Sequence, residues 1–208
     1  MRVVSMVSIA VVAALLGTLW YLTANKDADD LFAQCRASNI MGGAGSIGGP
    51  FTLVDETGKT VTDKDVITGP TLVYFGYTFC PDVCPLDNAR NAEAVTILEE
   101  QMSKIVTPIF ISIDPERDTP EAMAEFTEFM HPRMLGLTGT PEQTKAASKA
   151  YHTYFKKEVD GDPEYYLVDH STQTYLMFPE HGFVEFFRRD ESAEDMAKRV
   201  ACFVDAAS

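Results

Sequence analysis

The chain is poor in positive charge: 17 Lys and Arg stand against 31 Asp and Glu in 208 residues, a formal net charge of -14. That balance excludes nucleic acid as a partner, because phosphates have to be met by clustered Lys and Arg. It also excludes docking on anionic lipid through a basic patch. Cysteine is scarce, with only four residues. A chain of this length buries a core without a disulfide framework, and it fits one domain plus an appendage. Disorder is ruled out by a hydrophobic content of 46%. There are no internal repeats and no Arg- and Ser-rich leader of the kind that directs mitochondrial import.

Charge is missing altogether from Val3 to Leu22 (VVSMVSIAVVAALLGTLWYL), which also lacks His, Asn and Gln. At about 1.5 Å per residue this run spans roughly 30 Å, the thickness of a bilayer's hydrocarbon core. Trp20 and Tyr21 close it, where amphipathic rings favour the interface. Arg2 precedes it, and Lys26, Asp27, Asp29 and Asp30 follow. The positive-inside rule then leaves the N-terminus in the cytoplasm and the remainder outside. A cleaved signal peptide is the rival reading, but no small-x-small cleavage site follows the run. The expectation is a single-pass protein of the bacterial inner membrane with its soluble part in the periplasm. Residues 1–24 form the anchor, 25–49 a stalk ending in the Gly-rich linker Gly42–Gly49, and 50–208 the folded domain.

Within that domain, Phe51–Val54 and Lys59–Thr62 flank Asp55-Glu-Thr-Gly58 and predict a hairpin. Thr71–Tyr77 and Thr107–Ile113 are short apolar runs expected as buried strands. Between them Leu86, Ala94, Ile97, Leu98, Met102 and Ile105 recur at helical spacing. Thr119-Pro120 and Thr140-Pro141 each read as an N-cap followed by Pro at the first helical position. The first helix is expected to bury Met123, Phe126 and Met130, and the second Ala147, Ala150, Tyr151, Tyr154 and Phe155. Leu135–Leu137, Tyr165–Val168, Thr174–Phe178 and Val184–Phe187 read as strands, and Ser192 caps a last helix. The alternation predicts an α/β domain in which helices flank a central mixed sheet, mainly parallel, to which the late hairpin adds antiparallel strands.

Sites in such sheets lie beyond the carboxyl ends of strands. Strand Thr71–Tyr77 runs straight into Thr78-Phe79-Cys80-Pro81-Asp82-Val83-Cys84-Pro85 and a helix. A helix N-terminus stabilises a thiolate. Two thiolates four residues apart can form a disulfide or clamp a soft metal. A structural bridge or two idle thiols is the plainer alternative. His131, His152 and His181 read as packed or solvated residues. His170, beyond strand Tyr165–Val168, can face the Cys loop as a third ligand.

The run Tyr74-Phe-Gly-Tyr-Thr-Phe-Cys80-Pro-Asp-Val-Cys84-Pro resembles the motif of the Sco/SenC copper proteins. Asp114-Pro-Glu-Arg-Asp-Thr-Pro120 and Tyr166-Leu-Val-Asp-His170-Ser are similar to that family's second and third motifs, and Gly49–Gly58 fits its opening. The resemblance covers residues 47–206 and the N-terminal anchor. It implies a thioredoxin-like fold and one copper ion, Cu(I) or Cu(II), held by Cys80, Cys84 and His170. It further implies service to the binuclear copper site of cytochrome c oxidase subunit two, with another copper chaperone as a candidate donor. Two thiolates and an imidazole suit Cu(I), with Zn(II) the alternative for the same ligands. Asp169 and Asp114 are candidates to support the site from behind the ligands, although Asp114 can equally cap its own loop around Arg117 and Thr119.

Two cysteines remain. On the last helix Met196, Val200 and Phe203 form the apolar stripe, and at about 100° per residue Cys202 points away from it. In an exported protein the remaining Cys35 is its expected disulfide partner. Two functions compete. A metallochaperone needs Cys80, Cys84 and His170, whereas a thiol–disulfide reductase that keeps a partner's copper-ligand thiols reduced needs only Cys80 and Cys84 as catalytic thiols. His170 favours the first. A peroxiredoxin-like peroxidase is disfavoured, since Tyr77 stands where that family has Thr.

Overall fold

The computed structural model describes residues 12–18, 20, 30–36, 47–158 and 165–208. Residues 12–18 are helical. Most of the expected anchor and most of the expected Gly-rich linker lie outside the described residues, and among those described no helix is long and apolar enough to cross a membrane.

The ordered body begins with the expected hairpin, β1 (Thr52–Asp55) and β2 (Thr60–Thr62), turned by Gly58 at φ 82°. A four-residue helix, α1 (Asp63–Val66), follows; it is too short to leave a periodic pattern in the sequence. β3 (Thr71–Gly76) and β4 (Thr107–Ser112) lie side by side and parallel, joined by the 20-residue α2 (Val83–Met102). α3 (Pro120–Met130) and α4 (Pro141–Ala150) start at the two Thr-Pro pairs, where Thr119 accepts from the Ala122 amide and Thr140 from the Gln143 amide. β5 (Leu135–Thr138) separates them. After a two-stranded ribbon, β6 (Phe155–Lys157) with β7 (Val168–His170), come β8 (Thr174–Phe178), β9 (Gly182–Phe187) and α5 (Ala193–Ala206).

The main sheet has the order β2-β1-β5-β4-β3-β8-β9. Only β3–β4 and β4–β5 are parallel; the other four pairings are antiparallel. The sheet is therefore mixed, as expected, with fewer parallel pairs than the alternation of strands and helices implies. The reason is that the hairpin returns to pair with β5, and β8 enters antiparallel beside β3. Each face carries its own core. Leu72 and Leu176 pack under α2 and α5 with Val95, Leu98, Val200 and Phe203, while Val73, Phe75, Tyr175 and Tyr151 fill the opposite face.

Three sequence expectations need correction. Leu86 and Ile105 do not belong to the buried stripe of α2: they are 60% and 65% exposed, and Ile105 lies past the helix end. α4 stops at Ala150, so Phe155 begins a strand and Tyr154 is exposed. The strand expected at Tyr165–Val168 runs instead from Val168 to His170, which puts His170 within a β-ribbon rather than in a loop. The stalk also behaves differently from its composition. Phe32 and Cys35 are buried in the core beneath α5, with the Phe32 ring 5.5 Å from Phe203 and 5.9 Å from Phe178. Cys35 is bonded to Cys202, with a Cα–Cα distance of 5.7 Å.

Candidate metal centre

Topology brings the site together at one end of the sheet. The parallel strands β3 and β4 deliver their carboxyl ends to the same edge, and antiparallel β8 starts there, with Thr174 opposite Tyr74. The loop after β3 carries the cysteines, the loop after β4 carries Asp114 and Asp118, and the ribbon just before β8 carries His170. This is where open α/β sheets build sites.

Cys80 and Cys84 are free thiols and both are buried. Asp82, at the N-cap of α2, makes no side-chain cap. The orphan amides of the first turn turn to sulfur instead: the Cys84 N–H points at Cys80 Sγ, 3.3 Å away. A thiolate thereby takes the place of an oxygen cap, at the positive end of the helix dipole. Asn88 holds the same turn by donating to the Cys84 carbonyl at 2.8 Å. Gly76 makes room for the sulfur. A Cβ there would lie 2.9 Å from Cys84 Sγ and 2.7 Å from the Phe110 ring.

His170 presents Nε2 at 3.3 Å from Cys84 Sγ. Its Nδ1 lies 2.8 Å from the Ser171 carbonyl, which can only accept. That contact assigns the ring proton to Nδ1 and leaves the Nε2 lone pair facing the cysteines. Tyr74 and Tyr77 stand edge-on to the imidazole at 6.2 and 5.9 Å. The Tyr77 hydroxyl accepts from the Val168 amide at 3.2 Å, tying the ribbon to the Cys loop. The two sulfurs and the imidazole nitrogen all fall within 4.8 Å of one another.

The thiols are electrostatically unequal. The Cys84 thiol and the Cys84 and Asp82 amides donate to Cys80 and hold its pKa down to about 3, against the pull of burial. Donation to Cys80 and burial push Cys84 up. The pair thus keeps one proton, on Cys84, and titrates as a unit. Burial and the neighbouring thiolate also raise Tyr77, to about 12.

Asp118 was not singled out in the sequence, although it lies inside the second motif. It is wholly buried, and its carboxylate accepts from the Thr78 hydroxyl at 2.6 Å, the Thr78 amide at 3.2 Å and the Ser112 hydroxyl at 2.6 Å. It therefore clamps the residue two before Cys80 onto the end of β4. Asp114 is buried too, but its hydrogen bonds and ion pairs go to none of Cys80, Cys84 and His170. It accepts from Arg117 Nε at 2.5 Å, Lys157 Nζ at 3.0 Å and the Tyr166 hydroxyl at 2.6 Å, locking the β4 loop to the ribbon. Asp169 is exposed on β7, where alternation turns it away from the face that His170 uses. Asp87, one turn past Cys84, is buried and accepts from the Tyr74 hydroxyl at 3.0 Å.

Comparison with known proteins bears on this geometry directly. The family model described as SCO1/SenC matches residues 41–205. The chain belongs to that family. It is 52% identical to the SenC protein of Rhodobacter capsulatus over 205 residues, covering 99% of this chain and 91% of that one. A copper-bound crystal structure of Arabidopsis thaliana ScoI is 41% identical, with a TM-score of 0.70 over 74% of this chain and 96% of the other. Copper-bound yeast Sco1 is 36% identical, with a TM-score of 0.72 over 77% and 89%. The thioredoxin-like Sco fold is thus shared, and copper is the metal bound in both of these Sco structures. The Cys80–Cys84–His170 group of this chain fits such an ion chemically: two sulfurs and one imidazole nitrogen form a soft, low-coordinate set.

Proposed function

We propose that the chain is a membrane-anchored copper metallochaperone of the bacterial envelope. It binds one copper ion through Cys80, Cys84 and His170 and delivers it to, or prepares, the binuclear copper site of cytochrome c oxidase subunit two. The observation that carries this reading is the approach of His170 Nε2 to 3.3 Å from Cys84 Sγ beside the Cys80 thiolate. A dithiol reductase can dispense with an imidazole here, whereas a three-coordinate copper site cannot.

Copper supplies a soft cation that the two sulfurs and the imidazole can hold and surrender one ligand at a time. Cys80 is ionised beforehand, so Cys84 gives up the one proton that loading releases. His170 needs no deprotonation at Nε2, because Ser171 keeps the ring proton on Nδ1. In transfer, each bond to a donor of this chain is replaced by one to the recipient, and copper keeps its oxidation state.

The unequal thiols support a second reading, in which Cys80 attacks a partner's disulfide and Cys84 resolves the mixed disulfide, leaving this pair oxidised. Copper titration of the reduced protein against His170→Ala separates the two. The three-ligand reading expects a loss of at least about tenfold in affinity, the low end of what losing even a residue that supports a ligand costs. Equal Cu(I) and Cu(II) affinity in the variant defeats it. Reduction of a disulfide-bonded subunit-two fragment by metal-free protein, at an unchanged rate in His170→Ala, makes the reductase the primary activity.

A further inference from the structure

Beside the Cys loop lies a second feature to which the metal centre assigns no role. A groove of about 680 Å³ runs between this loop and α3, lined by Thr78, Phe79, Arg117, Glu125, Phe126 and Phe129. Its walls are aromatic and open to solvent: Phe129 is 86% exposed and Phe79 55%. Its floor is fixed. Phe126 stacks on the core residue Phe110 at 4.5 Å, and Thr78 is held by the Asp118 clamp. The Arg117 guanidinium lies 4.9 Å over Phe79 and 3.7 Å over Tyr166, with its charge met by Asp114, so it acts as a stacking plate. Apart from Arg117, which Asp114 neutralises, the charge beside the groove is acidic. Glu121, Glu125 and Glu128 are exposed on α3, and that helix has no basic residue.

We propose that this groove seats an aromatic or long aliphatic side chain of a protein partner, flanked there by Lys or Arg, and that this partner is the one exchanging metal with Cys80. The second half rests on the metallochaperone reading. Cys80 and Cys84 are buried, and Cys80 and His170 line a cavity of about 500 Å³ beside the loop, so a protein that brings a ligand to them has to approach this loop closely. Phe79 is covalently next to Cys80, so the groove flanks the same loop as that separate cavity. Exposed aromatic clusters with a charged rim are the usual form of an interaction surface, where the apolar anchor gives affinity and the rim gives orientation and rate. A second copy of this chain is a poor occupant, since a net charge of -14 sets like charge against the acidic rim.

The test uses the full chain in nanodiscs and three fluorescent decapeptides: Lys-rich with one central Phe, the same with Ala for Phe, and the first with Glu for Lys. Anisotropy should report binding of the first alone. Phe129→Ser, at an exposed position, should weaken it about tenfold or more, the loss typical of an anchoring aromatic. Glu125→Lys combined with Glu128→Lys should weaken it and flatten its salt dependence. Binding that ignores Phe129→Ser, equal binding of the Ala peptide, or no binding overturns the groove. Self-association of the wild type that Phe129→Ser abolishes overturns it too, by naming a second copy as the occupant. Copper transfer to the subunit-two copper domain is measured in parallel. Slower transfer by Phe129→Ser with unchanged copper loading supports the whole proposal. Failure of the wild type to transfer copper, with peptide binding intact, overturns the recipient and leaves the groove supported.

Discussion

Replacing Cys35 and Cys202 by Ser tests how residues 30–36 are held. The bond joins positions 167 residues apart, and chain-entropy arithmetic for such a loop gives at most about 5 kcal/mol of stability at 25 °C. Much of the outcome depends on whether the segment docks without the bond. Ordering its seven backbone units costs at least roughly 7 kcal/mol. Burial of Phe32 returns about 3 kcal/mol. The partly exposed Arg36–Asp30 ion pair adds up to about 1 kcal/mol. The hydrogen bonds from Phe32 and Ala33 to Asp30, from Cys35 to Phe32 and from Arg36 to the Val184 carbonyl add about 1 kcal/mol each. Gains and costs nearly cancel, so the covalent bond decides the matter. The expected loss in the double variant is about 3–5 kcal/mol, or roughly 1 M in the guanidinium midpoint, and amide protection at Phe32 and Cys35 should disappear first. Because Cys80 and Cys84 are already free thiols, a reductant acting on the wild type should reproduce the shift. A loss below about 1 kcal/mol, or full protection of residues 30–36 in the variant, refutes the reasoning.

Ultraviolet titration of the reduced, metal-free protein should show one thiolate per chain that persists until the pH falls toward 3. Cys80 is depressed below the ordinary thiol value, so its contribution to stability is complete above that value and is lost as the pH falls through the folded one; in Cys84→Ala, which removes the chief donor, the thiolate should be lost at higher pH. Asp118→Asn leaves one acceptor oxygen for three donors and should cost about 1–3 kcal/mol at neutral pH while speeding alkylation of Cys80. Burial raises the Asp118 pKa, so the folded state binds more protons, and its contribution falls as pH rises from the ordinary carboxylate value through the raised one. Denaturation at several pH values should find that slope in the wild type and not in the Asn variant. Gly76→Ala drives a methyl into Phe110 and Cys84 Sγ and should cost about 1–3 kcal/mol in thermal unfolding, together with a loss of copper affinity.

The places where the sequence was readable and where it misled have a common cause. β3, β4 and β8 are buried on both faces, so they appear as unbroken apolar runs. Thr119, Thr140 and Ser192 mark helix starts because a hydroxyl is the cheapest partner for an orphan amide. α2 defeats periodicity in its first half because its buried face is polar. Asp87 there serves Tyr74, Asn88 serves the Cys84 carbonyl, and Asn91 accepts from Thr174, while Leu86 is turned out. A local rule broken beside a site indicates that the face has been given over to chemistry. The candidate ligands Cys80, Cys84 and His170 were legible because their residue types are rare, whereas their supports were not. Asp118 and Asp114 occupy one motif, four residues apart, and composition cannot say which one clamps the Cys loop. That follows only from β4 ending beside β3, which sets Ser112 and Thr78 around the same carboxylate. Phe32 sits in an apolar run only three residues long within a polar stalk, and it became core beside the Cys35–Cys202 bond, which spans 167 positions. The chain thus keeps its candidate metal ligands in short local motifs and its rigidity in long-range contacts. A substitution at Asp118 should therefore impair the copper site while leaving every ligand in place.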